Sequence, residues 1–118
     1  MLLSGNGISM AYGNTLQLKI SLKRESEFTD RDKVLVKIRD GNEEQLLSKV
    51  LNISDKAAYF LLNSEESRAI PPGDHQWDIT VYINAQMDGE RIVTADEIMT
   101  PFCNAAFKVT RQTSREGD

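Results

Sequence analysis

The stretch Ile70-Pro71-Pro72-Gly73-Asp74-His75-Gln76-Trp77-Asp78-Ile79-Thr80-Val81-Tyr82-Ile83 decides the fold. His75, Trp77, Ile79, Val81 and Ile83 recur at every second position, with Gln76, Asp78, Thr80 and Tyr82 between them. A period of two belongs to a half-buried antiparallel strand, not to a helix. Ahead of the alternation, two prolines preset φ and remove two donors, and Gly73 permits a turn. The pattern predicts a rigid turn feeding a long central strand that runs to about Ala85. Trp77, Ile79, Val81 and Ile83 are expected to face Leu18, Ile20, Val36 and Phe60.

The rest of the chain supplies neighbours for that strand. Leu16, Leu18, Ile20 and Leu22 alternate with Gln17, Lys19, Ser21 and Lys23, apolar in and polar out. Residues 24–31 are polar, with Phe28 placed to anchor the loop. Val34, Val36 and Ile38 form a second alternating set with Leu35, Lys37 and Arg39, and Asp40-Gly41-Asn42 is a strong hairpin turn. Residues 45–53 read as a strand in which Leu46-Leu47 and Val50-Leu51 allow a bulge. Ala58, Phe60 and Leu62 mark the next one. Residues 63–70 read as one helical turn, with Ser64 and Ser67 as a weak cap and Glu65 and Glu66 suited to its N-terminus. After the long strand, Asp88-Gly89 turns the chain and residues 90–94 return as its hairpin partner. Residues 95–101 are expected to be a connector whose Ile98 and Met99 cover a sheet edge. Residues 105–111 form the last strand, with Phe107 and Val109 inward. These elements predict an all-β antiparallel sandwich of about seven strands with one short helical turn. Residues 1–112 read as one domain and residues 113–118 as a polar tail.

Composition narrows the function classes. The chain has 118 residues, a net charge of −4 and 40% hydrophobic residues, enough for one sandwich-sized core. There is no basic footprint for nucleic acid and no Lys/Arg cluster for anionic lipid. No apolar run approaches a membrane span, and residues 1–5 are too short and uncharged to read as a signal peptide. The expectation is synthesis in a cytoplasm, with the protein kept there or carried out in an assembled particle.

Candidate chemistry is sparse. His75, the only histidine, lies beside Asp74 and near Asp78. A Ser-His-Asp site also needs an exposed nucleophile and an oxyanion hole, and no G-x-S-x-G elbow is present. The alternation makes His75 a structural or rim residue. Cys103, the only cysteine, has no cysteine to pair with and no nearby base in sequence, so it reads as a plain buried or half-buried thiol. One Cys and one His do not make a zinc site. Asp40-Gly41-Asn42-Glu43-Glu44 lacks calcium-loop spacing, and Asp30 and Asp32 read as a solvated loop. Trp77 on an inward face reads as core rather than as a stacking platform. No catalytic, cofactor-binding or metal-ligating residue is assigned, and no cofactor is expected.

The order of these features resembles a known family. Thr15-Leu16-Gln17-Leu18-Lys19-Ile20 comes first, then Val34-Leu35-Val36-Lys37-Ile38 ending in a turn. Ala58-Tyr59-Phe60-Leu61-Leu62 precedes the polar turn Asn63-Ser64-Glu65-Glu66-Ser67. Ile70-Pro71-Pro72-Gly73 leads to Trp77-Asp78-Ile79, an aromatic-Asp-aliphatic signature, and Phe107-Lys108-Val109 is like a final F-x-V strand. From about Thr15 to Thr110 the chain is similar to the immunoglobulin-like N-terminal domain of phage baseplate upper proteins and to related domains of tail and prophage structural proteins. Residues 85–106 are longer than the family's usual close, and the chain ends where members usually continue into a linker and receptor-binding region. The resemblance implies an immunoglobulin-like sandwich, no catalytic residues, and a stand-alone or truncated virion module in the tail or baseplate. Its implied partners are other tail proteins or further copies of itself, met through an edge strand or through residues 85–106. The alternative function is a bacterial immunoglobulin-like binding or adhesion module, and a small β-sandwich enzyme is the third reading. Fold alone does not choose among them.

Overall fold

The computed structural model describes residues 2–4, 7–20, 28–42 and 44–111, with the backbone alone at residues 2–4 and 101–104. Ten strands and one helical turn follow in chain order: β1 (Leu2–Ser4), β2 (Gly7–Ala11), β3 (Leu16–Ile20), β4 (Lys33–Arg39), β5 (Gln45–Ser54), β6 (Ala57–Leu62), α1 (Ser64–Ser67), β7 (Gly73–Ile83), β8 (Gln86–Asp88), β9 (Arg91–Thr94) and β10 (Glu97–Thr110). Eight of them form a curled mixed sheet in the order β1-β2-β10-β7-β4-β5-β6-β3, and β8-β9 form a separate two-stranded sheet.

The curl makes the sandwich. β5 pairs with β4 from Asn52 to Gln45 but with β6 only at Ile53–Ala58 and Ser54–Ala57. The chain turns there through Asp55 and Lys56, both at positive φ (52° and 64°), the signature of a two-residue hairpin turn whose twist matches its strands. β6 and β3 thereby fold over the face of β4, β7 and β10. One core cluster joins Leu16, Phe60 and Leu62 to Val34, Val36, Ile38, Trp77, Ile79, Val81, Phe107 and Val109. Strands β3 and β6 form one layer, and β4, β7 and β10 with β5 at the edge form the other, a β-sandwich-like arrangement.

The long strand sits where its alternation placed it. β7 lies between β4 and β10, and His75, Trp77, Ile79 and Val81 are buried while Ile83 is half-buried. Leu18 and Ile20 pack against the core from β3, and Phe60 is fully buried on β6. Val36 does not face β7 from the other layer: it is paired beside Ile79 in the same layer. Phe28 is buried as the anchor of its loop. The register between Ile38–Leu47 and Arg39–Gln45 skips Leu46, so the bulge falls at Leu46-Leu47, while Val50 and Leu51 pair without a break.

Four expectations need correction. The described residues hold ten strands, not about seven, because β1 and β2 pair with each other and β8 adds a partner for β9. The sheet is not wholly antiparallel: β2 runs parallel to β10, with Ile8 beside Phe107 and Met10 beside Val109. Residues 90–94 do not return along the long strand, because β9 pairs with β8, and the partner of β7 is β10. Residues 95–101 are not a connector, since β10 begins at Glu97. Register shifts between Met99 and Phe102 and between Phe102 and Ala105 let that strand absorb an irregular stretch. The helical turn is also capped differently. Asn63, not Ser64, is the N-cap, its side chain accepting from the Glu66 N–H while the Glu66 carboxylate accepts from the Asn63 N–H. This reciprocal box satisfies two donors that Ser64 and Ser67 would leave open. The tail at residues 113–118 lies outside the described residues.

Candidate functional site

Of the residues singled out for chemistry, His75, Asp78, Asp40 and Trp77 are engaged in holding the fold. His75 points inward at the start of β7 and is 7% exposed. Its Nε2 lies 2.6 Å from the Pro71 carbonyl oxygen. The carbonyl can only accept, so Nε2 carries the proton and donates, leaving Nδ1 as a buried nitrogen with no hydrogen-bond partner. Asp78 cannot orient this ring, because it lies on the opposite face of β7. There Arg39 Nη2 donates to Asp78 Oδ1 at 3.1 Å, with Oδ2 3.0 Å away. Asp74 is exposed.

Cys103 belongs to β10 and falls four positions before Phe107, the residue paired with His75. The register shift between Phe102 and Ala105 sets Cys103 level with β7 between Trp77 and Ile79, two to four residues or roughly 7–14 Å along the strand from His75. The Cys103 side chain lies outside the described residues. Trp77 is buried and meets Phe107 edge-on, with ring centroids 6.2 Å apart and planes at 68°, a favourable aromatic geometry deep in the core. Asp40 spends its carboxylate on its own turn, Oδ1 accepting from the Asn42 and Glu44 N–H groups at 2.8 and 2.9 Å. Glu43 lies outside the described residues. Among those described, no group of three or more His, Cys, Asp or Glu is placed to hold a metal ion.

Asp32 corrects the reading of a solvated loop. It is 4% exposed. Oδ2 accepts from the Thr29 N–H at 2.8 Å, and Oδ1 accepts from the Asn84 N–H at 2.9 Å. Asn84 itself has φ +51° and donates through Nδ2 to Asp96. Ala85 N donates to Arg31 O, and Asp96 N to Ile83 O. This polar knot ties the loop before β4 to the point where the chain leaves β7 for β8, and so sets where the β8-β9 hairpin projects.

That hairpin forms one wall of an open cleft of about 520 Å³. Met87, Gly89 and Glu90 line the hairpin side, and Lys33, Ser48, Val50 and Asn52 line the outer face of β4 and β5. The register sets two rows across this outer face, Asn52-Lys33-Tyr82-Ile98 and Val50-Leu35-Thr80. Thr100 extends the second row, its hydroxyl 3.4 Å from that of Thr80. Val50 is 38% and Ile98 57% exposed. Met99, the neighbour of Ile98, packs inward against the core, so the two do not act together as an edge cover. Leu35 falls at the outward phase of a clean alternation, whereas Val50 stands beside Leu51 in a stretch where sequence alone leaves the phase open. The cleft is open, with Lys33 and Ser48 on the sheet wall and Glu90 on the hairpin wall.

Comparison with known proteins matches no protein family, no curated protein and no solved structure.

Proposed function

We propose that this chain is a non-enzymatic protein-interaction module and, within that class, a structural domain of a phage or prophage tail. One observation carries the first half: His75 is buried and committed to the Pro71 carbonyl. A general base must reach a substrate proton, and this imidazole is turned into the core. Of the two carboxylates that sequence would offer it, Asp78 is held by Arg39 on the opposite face of the strand and Asp74 is exposed while the ring points inward.

The second half rests on the resemblance. Its support is that the elements carrying it fall at structural centres of the sandwich. Pro71-Pro72-Gly73 feeds the long strand, and Trp77, Ile79, Phe107 and Val109 are buried in one cluster. A turn feeding a central strand has a plain physical cause, so this support bears on a domain type before it bears on a particle.

The test is to fractionate particles from a lysate of the host, induced for prophage where one is present. The reading expects the protein to sediment with intact tails and to be labelled there by antibody in electron micrographs. Its presence in the soluble fraction alone, or on the outer surface of uninfected cells as an adhesion module requires, overturns the tail assignment. Hydrolysis of a general ester, phosphoester or glycoside substrate that is lost in His75→Ala would overturn the non-enzymatic half.

A further inference from the structure

We propose that the outer face of β4, β5, β7 and β10, together with the β8-β9 hairpin, is a two-fold interface with a second copy of this chain. The outer face of an antiparallel sandwich layer is ordinarily solvated and polar. Here it carries Val50 and Ile98 at 38% and 57% exposure, with Leu35 and Tyr82 half-buried between them. Val50, Leu35, Tyr82 and Ile98 put an apolar and aromatic component on this face, among Asn52, Lys33, Thr80 and Thr100, and tyrosine is one of the residues enriched at interfaces.

The hairpin points the same way. β8-β9 pairs with no strand of the eight-stranded sheet among the described residues. A two-stranded hairpin alone in water is marginal, yet this one holds Met87 and Ile92 half-buried and Val93 57% exposed. An arm of this kind is stabilised by a surface laid against it.

Charge selects the occupant. The arm tip, Asp88-Gly89-Glu90-Arg91, carries two carboxylates and one guanidinium, net negative, and the sheet face carries Lys33 and Lys37 beside the Arg39–Asp78 ion pair, net positive. One molecule therefore carries an acidic apolar arm and a basic apolar face. Each is the complement of the other, which is the condition for an isologous contact. A polyanion would meet the acidic arm, and a cationic surface would meet the lysines. A second copy satisfies both walls twice. This inference stands on the face and the arm and does not depend on the tail reading.

Sedimentation equilibrium of the whole chain from about 1 μM to about 1 mM spans the dissociation constants of interest. The expected result is a mass rising from monomer to dimer across the range. Val50→Glu and Ile98→Glu weaken the dimer at least tenfold, and Leu61→Glu, a similarly exposed leucine on the other layer, leaves it unchanged. Lys33→Glu weakens it, and adding Glu90→Lys restores it. Without any substitution, the Leu35, Val50 and Ile98 methyl resonances shift on dilution and those of Leu61 do not. A monomer at every concentration overturns the inference, including the case in which a different protein occupies the face. So does a dimer that tolerates both glutamates, or a dilution shift at Leu61 in place of Val50.

Discussion

His75 Nε2 donates to the Pro71 carbonyl across 2.6 Å, so the strand that begins at Gly73 is tied back to the turn that launched it. Gly73 sits at φ +140° between the two residues. That backbone conformation is open to glycine and strained for any side chain. The turn is thus held by two proline rings, one glycine and one part-buried hydrogen bond.

Removing the imidazole breaks this closure. His75→Ala is expected to cost about 0.5–1.5 kcal/mol, the net contribution of a typical intramolecular hydrogen bond, since the Pro71 carbonyl left behind belongs to an exposed residue. Urea unfolding measures it. A change in the midpoint too small to resolve would mean that the bond contributes nothing to the fold.

Trp77→Ala is expected to be the more severe. The indole is buried on the middle strand of its layer and leans on Phe107. Truncating a buried large aromatic costs about 3–5 kcal/mol. A near-neutral midpoint would contradict the central placement of β7.

These two residues belong to the part of the fold that was legible in the sequence. Val34, Val36, Ile38 and the His75–Val81 set are inward at strict two-residue spacing, and burial on one face enforces that spacing. The illegible parts have other causes. β2 presents Ile8 and Met10 among Gly, Asn and Ser, and its partner Phe107 lies about a hundred residues away, so no local pattern announces it. β10 loses its alternation at Pro101 because the strand is irregular between Met99 and Ala105. Asp32 looks like any loop carboxylate until the fold brings Asn84 to it. The outer face was hidden by the same alternation that revealed the core, since an outward Leu35 looks like routine exposure, and Val50 beside Leu51 leaves its phase open.

Asp32→Ala is expected to cost about 2–4 kcal/mol, because two backbone donors lose a charged acceptor. Asp32→Asn keeps an acceptor oxygen for one of them and is expected to cost less. Amide exchange at Thr29 and Asn84 reads the effect directly, and unchanged exchange at both in Asp32→Ala would refute the role given to this carboxylate.

Lys56→Gly is expected to stabilise the protein. Lys56 sits at φ +64° in the turn that joins the two layers, a region that costs an L-residue roughly 1–2 kcal/mol and glycine nothing. Greater backbone freedom in the unfolded chain offsets part of this, leaving a gain of about 0.5–1 kcal/mol. A lower melting temperature in Lys56→Gly would show that the Lys56 side chain matters more than its backbone strain.

Glu66 gives the fold an acid-sensitive joint. Its carboxyl is held below its ordinary value of 4.5, first by the hydrogen bond from Lys49 and then by the one from the Asn63 N–H. Lys49 Nζ lies 2.7 Å from Glu66 Oε2 and also donates to Leu61 O, so one ammonium links β5, β6 and α1. The folded state favours the carboxylate, so the unfolded chain binds the proton more readily. The stabilisation is therefore complete above the unfolded value and drains away as pH falls through the lower folded one. The pair is partly exposed, with side chains 27% and 29% accessible, and solvent holds its contribution to about 0.5 kcal/mol or less. Between pH 6 and pH 3, in steps, the unfolding midpoint of the wild type is expected to fall more steeply below about pH 4.5 than that of Glu66→Gln. The glutamine cannot titrate, but its amide oxygen still accepts from Asn63 and keeps the capping box. Parallel profiles for the two proteins would show that Glu66 carries no linkage, and a Glu66→Gln midpoint that falls more steeply with acid would reverse the sign assigned to it.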